Sequence, residues 1–184
     1  MKKTGIAVLF FAALLIVSCS SSKEKMKTKI DGLEKRLYAS SATSFDTIKG
    51  DSLLDLYTNY IAKFPGDTIC AKYTYNAASL CMNRQQNGKA VELFNTFQQN
   101  YPKNPRAPVC MFLTGFIYEN QMHDLQKAKE IYLQFLEKYP ESIYAKDARS
   151  SLDNLGKTPE QMMAEFEQRQ KEAGTAENKP AGRK

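Results

Sequence analysis

Hydrophobic side chains recur along this chain in one shape, written three times. Count back from Pro65, Pro102 and Pro140. Twelve positions before the proline stand Leu53, Ala90 and Ala128, and nine before stand Leu56, Leu93 and Ile131. Eight before are Tyr57, Phe94 and Tyr132; five before are Tyr60, Phe97 and Phe135; one before are Phe64, Tyr101 and Tyr139. Steps of 3, 1, 3 and 4 lay these residues on one stripe of an α-helix. Asn59, Lys63, Thr96, Gln99, Gln134 and Lys138 fall between them, on the solvent side. Strand alternation fits none of the segments.

Each proline ends its helix, because it lacks an N–H and disfavours helical geometry in the residue before it. Two residues later stands Asp67, Asn104 or Ser142, each an N-cap type whose side-chain oxygen accepts the free N–H groups of a new helix. A turn that short predicts antiparallel neighbours. The following helices are expected over Thr68 to about Arg84 and Pro105 to about Met122, each leading through "QQNG" or "HD" into the next striped helix. The prolines are spaced 37 and 38 residues apart, so the unit is a helix pair of that period, as in a solenoid.

These residues resemble the tetratricopeptide repeat. Gly115 and Tyr118 match its first-helix positions, and Ala128, Tyr132, Phe135 and Pro140 follow at the family spacing of 4, 3 and 5. Ala77, Ala90, Phe94, Phe97 and Pro102 match a second copy. Small residues let two helices approach, and a large ring from the neighbour fills the gap. The chain departs from the pattern in three ways. The small residue lies 13 positions before the second-helix Ala, one more than the family norm; Leu80 replaces a Tyr; Phe97 and Phe135 replace the usual Ala. The resemblance implies an all-α fold, a right-handed solenoid of antiparallel helix pairs. It also implies that the first helix of each pair lines a concave protein-binding surface. Carried across on Ala77 and Gly115, that surface takes Thr74, Ala78, Cys81 and Met82 from one repeat. From the next it takes Val109, Phe112, Phe116, Glu119 and Asn120. Phe112 and Phe116 have a second reading, as core residues against the neighbouring helix, and the sequence leaves both open.

Half-repeats flank the two whole ones. Met26, Ile30, Leu33 and Leu37 step by 4, 3 and 4 and predict a helix, paired across "SATSFD" with one from about Lys49 to Phe64. After Ser142, Ala145, Ala148 and Leu152 share a face and Gly156 stops the helix. Thr158, Pro159 and Gln161 form a capping box for a last helix, whose Met162, Met163 and Phe166 are expected to cover the open end of the stack. The repeat domain is thus expected over 26–172, with a disordered tail over 173–184.

The start of the chain reads differently. Lys2 and Lys3 precede the uncharged run Gly5 to Val17, too short to span a bilayer, and together they read as an export signal over 1–18. "IVSC", Ile16 to Cys19, resembles the bacterial lipobox, which implies lipidation at Cys19. "SSSKEK" is then a polar tether, taking the anchor segment through residue 25. By the same resemblance Ser20, not Asp, after the lipidated Cys favours the outer membrane.

Export changes how the net charge of +6 is read. Lys and Arg are scattered rather than clustered, so they imply a solvated surface and not nucleic acid. Cys70 and Cys81 sit eleven residues apart on one expected helix, roughly 16 Å, beyond disulfide reach. Cys70–Cys110 and Cys81–Cys110 stay open beside three buried thiols. His123 is the only histidine, and no glycine-rich phosphate loop or nucleophile–base pair is legible, so neither catalysis, a cofactor nor a metal is expected. Asp124 and Glu119 read as a cap and a solvated face.

"FPGDT", "FIYEN" and "LGKTPEQMMAEFE" give the mature domain a resemblance to small lipid-anchored repeat proteins of Bacteroidetes-type bacteria. Those are similar to the D lipoprotein of the outer-membrane β-barrel assembly machinery and to the periplasmic accessory protein of the Tol–Pal system. The resemblance implies a non-enzymatic, lipid-anchored periplasmic scaffold for protein partners at the outer membrane, in outer-membrane protein assembly or, alternatively, in Tol–Pal-like envelope maintenance and division.

Overall fold

A computed structural model describes residues 22–37 and 47–177. The expected signal segment, Cys19 and residues 178–184 lie outside them. Among the described residues there is no strand. The helices are α1 (22–37), α2 (Thr47–Lys63), α3 (Cys70–Asn83), α4 (Asn87–Asn100), α5 (Ala107–Phe116), α6 (Leu125–Lys138), α7 (Ala145–Asn154) and α8 (Pro159–Glu177). A π-helical turn, Ile117–Gln121, continues α5. The fold is all-α and built of consecutive helix hairpins. It divides into two compact units, Met1–Cys110 and Met111–Lys184.

The proline turns use one hydrogen-bond scheme three times. The residue before each proline donates its N–H to the carbonyl four residues back: Phe64 to Tyr60 (2.9 Å), Tyr101 to Phe97 (2.8 Å), Tyr139 to Phe135 (2.8 Å). The expected caps then act on the next helix. Asp67 Oδ1 accepts from Ile69 N (3.1 Å), Asn104 Oδ1 from Arg106 N (2.9 Å) and Ser142 Oγ from Tyr144 N (3.3 Å). Their carbonyls accept from Cys70, Ala107 and Ala145. Regular α-geometry therefore begins three residues after the cap, later than the pattern suggested, because a turn of i→i+3 bonds comes first.

In the first unit α2, α3 and α4 pack around Leu53, Tyr57, Tyr60, Tyr73, Ala77, Leu80, Phe94 and Phe97, all buried. Tyr73 lies between Tyr57 and Tyr60, with ring centroids 5.2 and 5.0 Å away. Helix α1 adds Ile30 and Leu37 to the buried set. It starts at residue 22, so Ser22 to Lys25 are helical and not tether. The cause is polar: Lys23 Nζ lies 2.7 Å from Asp67 Oδ2 and Lys27 Nζ 3.6 Å from it, fixing the first turns to the α2–α3 turn. Lower down, Glu34 accepts from Tyr57 OH (2.6 Å) and Asn76 Nδ2 (3.1 Å) and pairs with Lys72 (3.3 Å).

The second unit centres on Met111, Ala128, Tyr132, Phe135, Ala145 and Ala148, with Phe112, Tyr118, Tyr139 and Tyr144 packed around them. Gly115 is the close approach here: a Cβ on it would stand 2.7 Å from Tyr132 Cε1. The extra residue between the helices goes into a left-handed turn position, His123 with φ 55°, and Gln85 with φ 56° does the same in the preceding copy. The capping box at α8 is present, Thr158 N to Gln161 Oε1 at 2.9 Å and Gln161 N to Thr158 Oγ1 at 3.3 Å. The expected burial beneath α8 is not. Met162, Met163 and Phe166 are 38%, 66% and 62% exposed. Three apolar residues within one turn of an otherwise charged helix make too narrow a stripe to bury, and a polar contact, Lys157 to Glu165 at 2.7 Å, holds the start of α8 instead. The α8 backbone continues to Glu177, so the first five residues of the expected tail are helical.

Candidate protein-binding surface

The residues expected on a concave surface divide by burial. In the first unit Thr74, Ala78 and Cys81 are sequestered, and Met82 and Val109 are half-buried. Thr74 Oγ1 bonds back to Cys70 O at 2.8 Å, inside its own helix. These positions follow small or short side chains at which helices approach, so Thr74, Ala78 and Cys81 are closed to a partner. The exposed side of this helix therefore lies elsewhere than at Thr74, Ala78 and Cys81.

In the second unit the strip separates into an inward and an outward half. Phe112 belongs to the core: its ring centroid is 5.8 Å from Tyr132, 6.0 Å from Phe135 and 5.4 Å from Tyr144, the last stacked at 19°. Glu119 also turns inward and accepts from Tyr132 OH at 2.7 Å. Burial, then this carboxylate, pushes the Tyr132 phenol well above its ordinary value. Phe116, 38% exposed, and Asn120 face out. Asn120 Nδ2 donates to Phe116 O (3.2 Å), a bond that steadies the helix end where the π-turn begins. Such turns recur at functional positions.

The Glu119–Tyr132 pair has counterparts. Tyr57 occupies the Tyr132 position and bonds Glu34 of α1 at 2.6 Å, 23 residues before it rather than 13. In the middle copy the ring is Phe94, with no hydroxyl, and the residue thirteen before it is Cys81, with no carboxylate. A second pair varies in the same manner: Tyr60 OH donates to Asp67 Oδ2 at 2.5 Å, whereas the other copies have Phe97 with Asn104 and Phe135 with Ser142.

Pattern reading missed four outward apolar residues of the second unit. Met122, Leu125, Leu133 and Ile143 are 42%, 40%, 51% and 84% exposed. The signal was in the copies. Where this copy has Leu125 the others have Gly50 and Asn87; for Leu133 they have Thr58 and Asn95; for Ile143 they have Thr68 and Pro105. With Phe116, these residues make this copy the one with apolar side chains in water.

Among the described residues no three metal-ligating side chains stand together. Cys70, Cys81 and Cys110 are free and buried, and burial raises all three thiols, Cys110 to about 12, away from the reactive thiolate. Among the described residues no helix is long and apolar enough to cross a membrane.

Residues 109–142 match the family model of the tetratricopeptide repeat. The chain carries a tetratricopeptide repeat. Such repeats are protein-binding modules, and the matched one is the copy whose Phe116, Leu125 and Leu133 reach solvent. No curated protein matches the chain.

Proposed function

We propose that this protein is a non-enzymatic scaffold, held by a lipid on Cys19 at the periplasmic face of the outer membrane, that captures partner proteins in outer-membrane protein assembly. The observation that carries the scaffold reading is the repeat at 109–142 with its outward apolar residues, at positions where the other copies are polar or small. A partner covering Phe116 would bury apolar surface beside the Asn120 amide one turn further on, the mixture that protein interfaces use. The anchor reading is supported by "IVSC" after a short apolar run.

Affinity capture on the lipidated protein tests both halves. Recovery of β-barrel assembly components, lost in a Phe116→Ala, Leu133→Ser double variant that still melts like the parent, is the expected result. Recovery of peptidoglycan-associated Pal-like proteins instead would move the scaffold to envelope maintenance. Acyl labelling of the parent but not of Cys19→Ala tests the anchor, and an unlabelled parent would refute it.

A further inference from the structure

Helix α1 has two faces of opposite use. Its inner face runs Lys23, Lys27, Ile30, Glu34 and Leu37, at steps of 4, 3, 4 and 3. Every polar member of that face is engaged: Lys23 and Lys27 at Asp67, Glu34 at Tyr57, Asn76 and Lys72. The outer face runs Lys25, Lys29, Gly32 and Arg36, at steps of 4, 3 and 4. Lys25, Lys29 and Arg36 are exposed. Gly32 faces open space, with nothing within 4 Å of where its Cβ would be. At 100° per residue, Glu24 and Asp31 lie roughly 100° or more around the helix from Lys25. The outer stripe is therefore purely cationic over about 16 Å, and Arg36 Nε donates to the Gly32 carbonyl at 3.1 Å, which lays its side chain along the helix.

Position along the chain says which anion it meets. Three Cα–Cα steps, across Ser20 and Ser21, separate Cys19 from the start of α1 at residue 22. Fully extended they reach about 10 Å, which is about one Debye length at cellular salt.

We propose that the Lys25–Lys29–Arg36 face of α1 docks on anionic phospholipid headgroups of the membrane that holds the lipid. The proposal rests on the anchored reading of Cys19. With α1 lying along the bilayer, the inner face stays on α2 and α3, so docking needs no unfolding.

The test uses the protein purified with its own anchor. Its partition is measured on phosphatidylcholine vesicles and on vesicles of equal parts phosphatidylcholine and phosphatidylglycerol. Three cations at about 1 kcal/mol each predict roughly 100-fold preference for the anionic vesicles, collapsing as salt rises. The variant Lys25→Gln, Lys29→Gln, Arg36→Gln should partition equally on both. Single Lys25→Gln or Lys29→Gln should each lose about fivefold, which reads the stripe with one exposed side chain changed at a time. Lys103→Gln, Lys129→Gln, Lys146→Gln, an equal loss of charge elsewhere, should keep the preference. A triple stripe variant that keeps the parental preference overturns the proposal. So does a parent that ignores anionic vesicles and binds soluble polyglutamate, which would make the stripe a site for acidic protein. The acyl mass at Cys19 is read on the same material. An unacylated chain that retains the anionic preference refutes the anchor and leaves the stripe standing.

Discussion

Replacing Gly115 with alanine sets two opposed effects against each other. A glycine in a helix interior costs roughly 0.5–1 kcal/mol relative to alanine, so helix propensity alone favours Gly115→Ala. Packing opposes it. The new Cβ would stand 2.7, 2.9 and 3.1 Å from three ring atoms of Tyr132, well inside ordinary contact. The ring cannot swing away freely: Tyr132 is fully buried, its hydroxyl is held by Glu119 at 2.7 Å and Phe112 stands 5.8 Å from its centroid. Overpacking of this kind costs about 1–3 kcal/mol, and losing the hydroxyl bond adds about 1 kcal/mol. The net expectation is a loss of roughly 1–3 kcal/mol in urea unfolding followed by circular dichroism. Gly32→Ala is the matched control. Nothing lies within 4 Å of its Cβ, so it should gain about 0.5–1 kcal/mol. In a Tyr132→Leu background the penalty of Gly115→Ala should shrink, which a double-mutant cycle measures. A Gly115→Ala protein as stable as the parent would refute the close-approach argument.

Three other outcomes are expected. Lys23 first, then the Tyr60 hydroxyl, hold the Asp67 carboxyl well below the usual carboxylate range. A lowered folded pKa means stabilisation fully present above the unfolded value near ~3.9 and lost as pH falls towards the folded one. Asp67→Asn should therefore cost about 1–3 kcal/mol at neutral pH, with the gap to the parent narrowing below about pH 4, and a gap independent of pH would refute the coupling. Phe112→Ala should lower stability by about 2–4 kcal/mol while Phe116→Ala and Asn120→Ala leave melting nearly unchanged, and the reverse order would put Phe112 at the binding surface. His123→Gly and Gln85→Gly should each stabilise by about 0.5 kcal/mol by relieving the left-handed backbone, whereas Ala78→Gly, inside α3, should destabilise.

The helices could be read from the stripes because their information is local: the period, the proline and the cap all lie within one hairpin. Exposure could not, since it depends on which turn of a helix its neighbours cover. Phe112 and Phe116 are one turn apart and look alike in sequence, yet one stacks on Tyr144 and the other meets water. The start of α1 was missed for a different reason. Ser22 to Lys25 carry no apolar signal, and the helix is extended there by Asp67, more than forty residues away in sequence. The covering role of α8 was read from apolar residue types alone, and Met163 and Phe166 had too few apolar neighbours along the helix to be drawn under.

The paired differences between copies constrain how such a chain can change over time. Moving from Tyr132 with Glu119 to the Phe94 with Cys81 arrangement takes two substitutions. Either one made alone breaks the part-buried hydroxyl–carboxylate bond and leaves the other partner with one fewer contact, at about 1 kcal/mol. The Tyr60 with Asp67 pair imposes a similar toll on its own path to Phe97 with Asn104. Drift through this fold therefore proceeds in coupled steps across a shallow valley. Hairpins can lose nearly all residue identity with one another while each keeps its donors and acceptors in balance, and ancestry in such a chain is better traced by pairs of positions than by single ones.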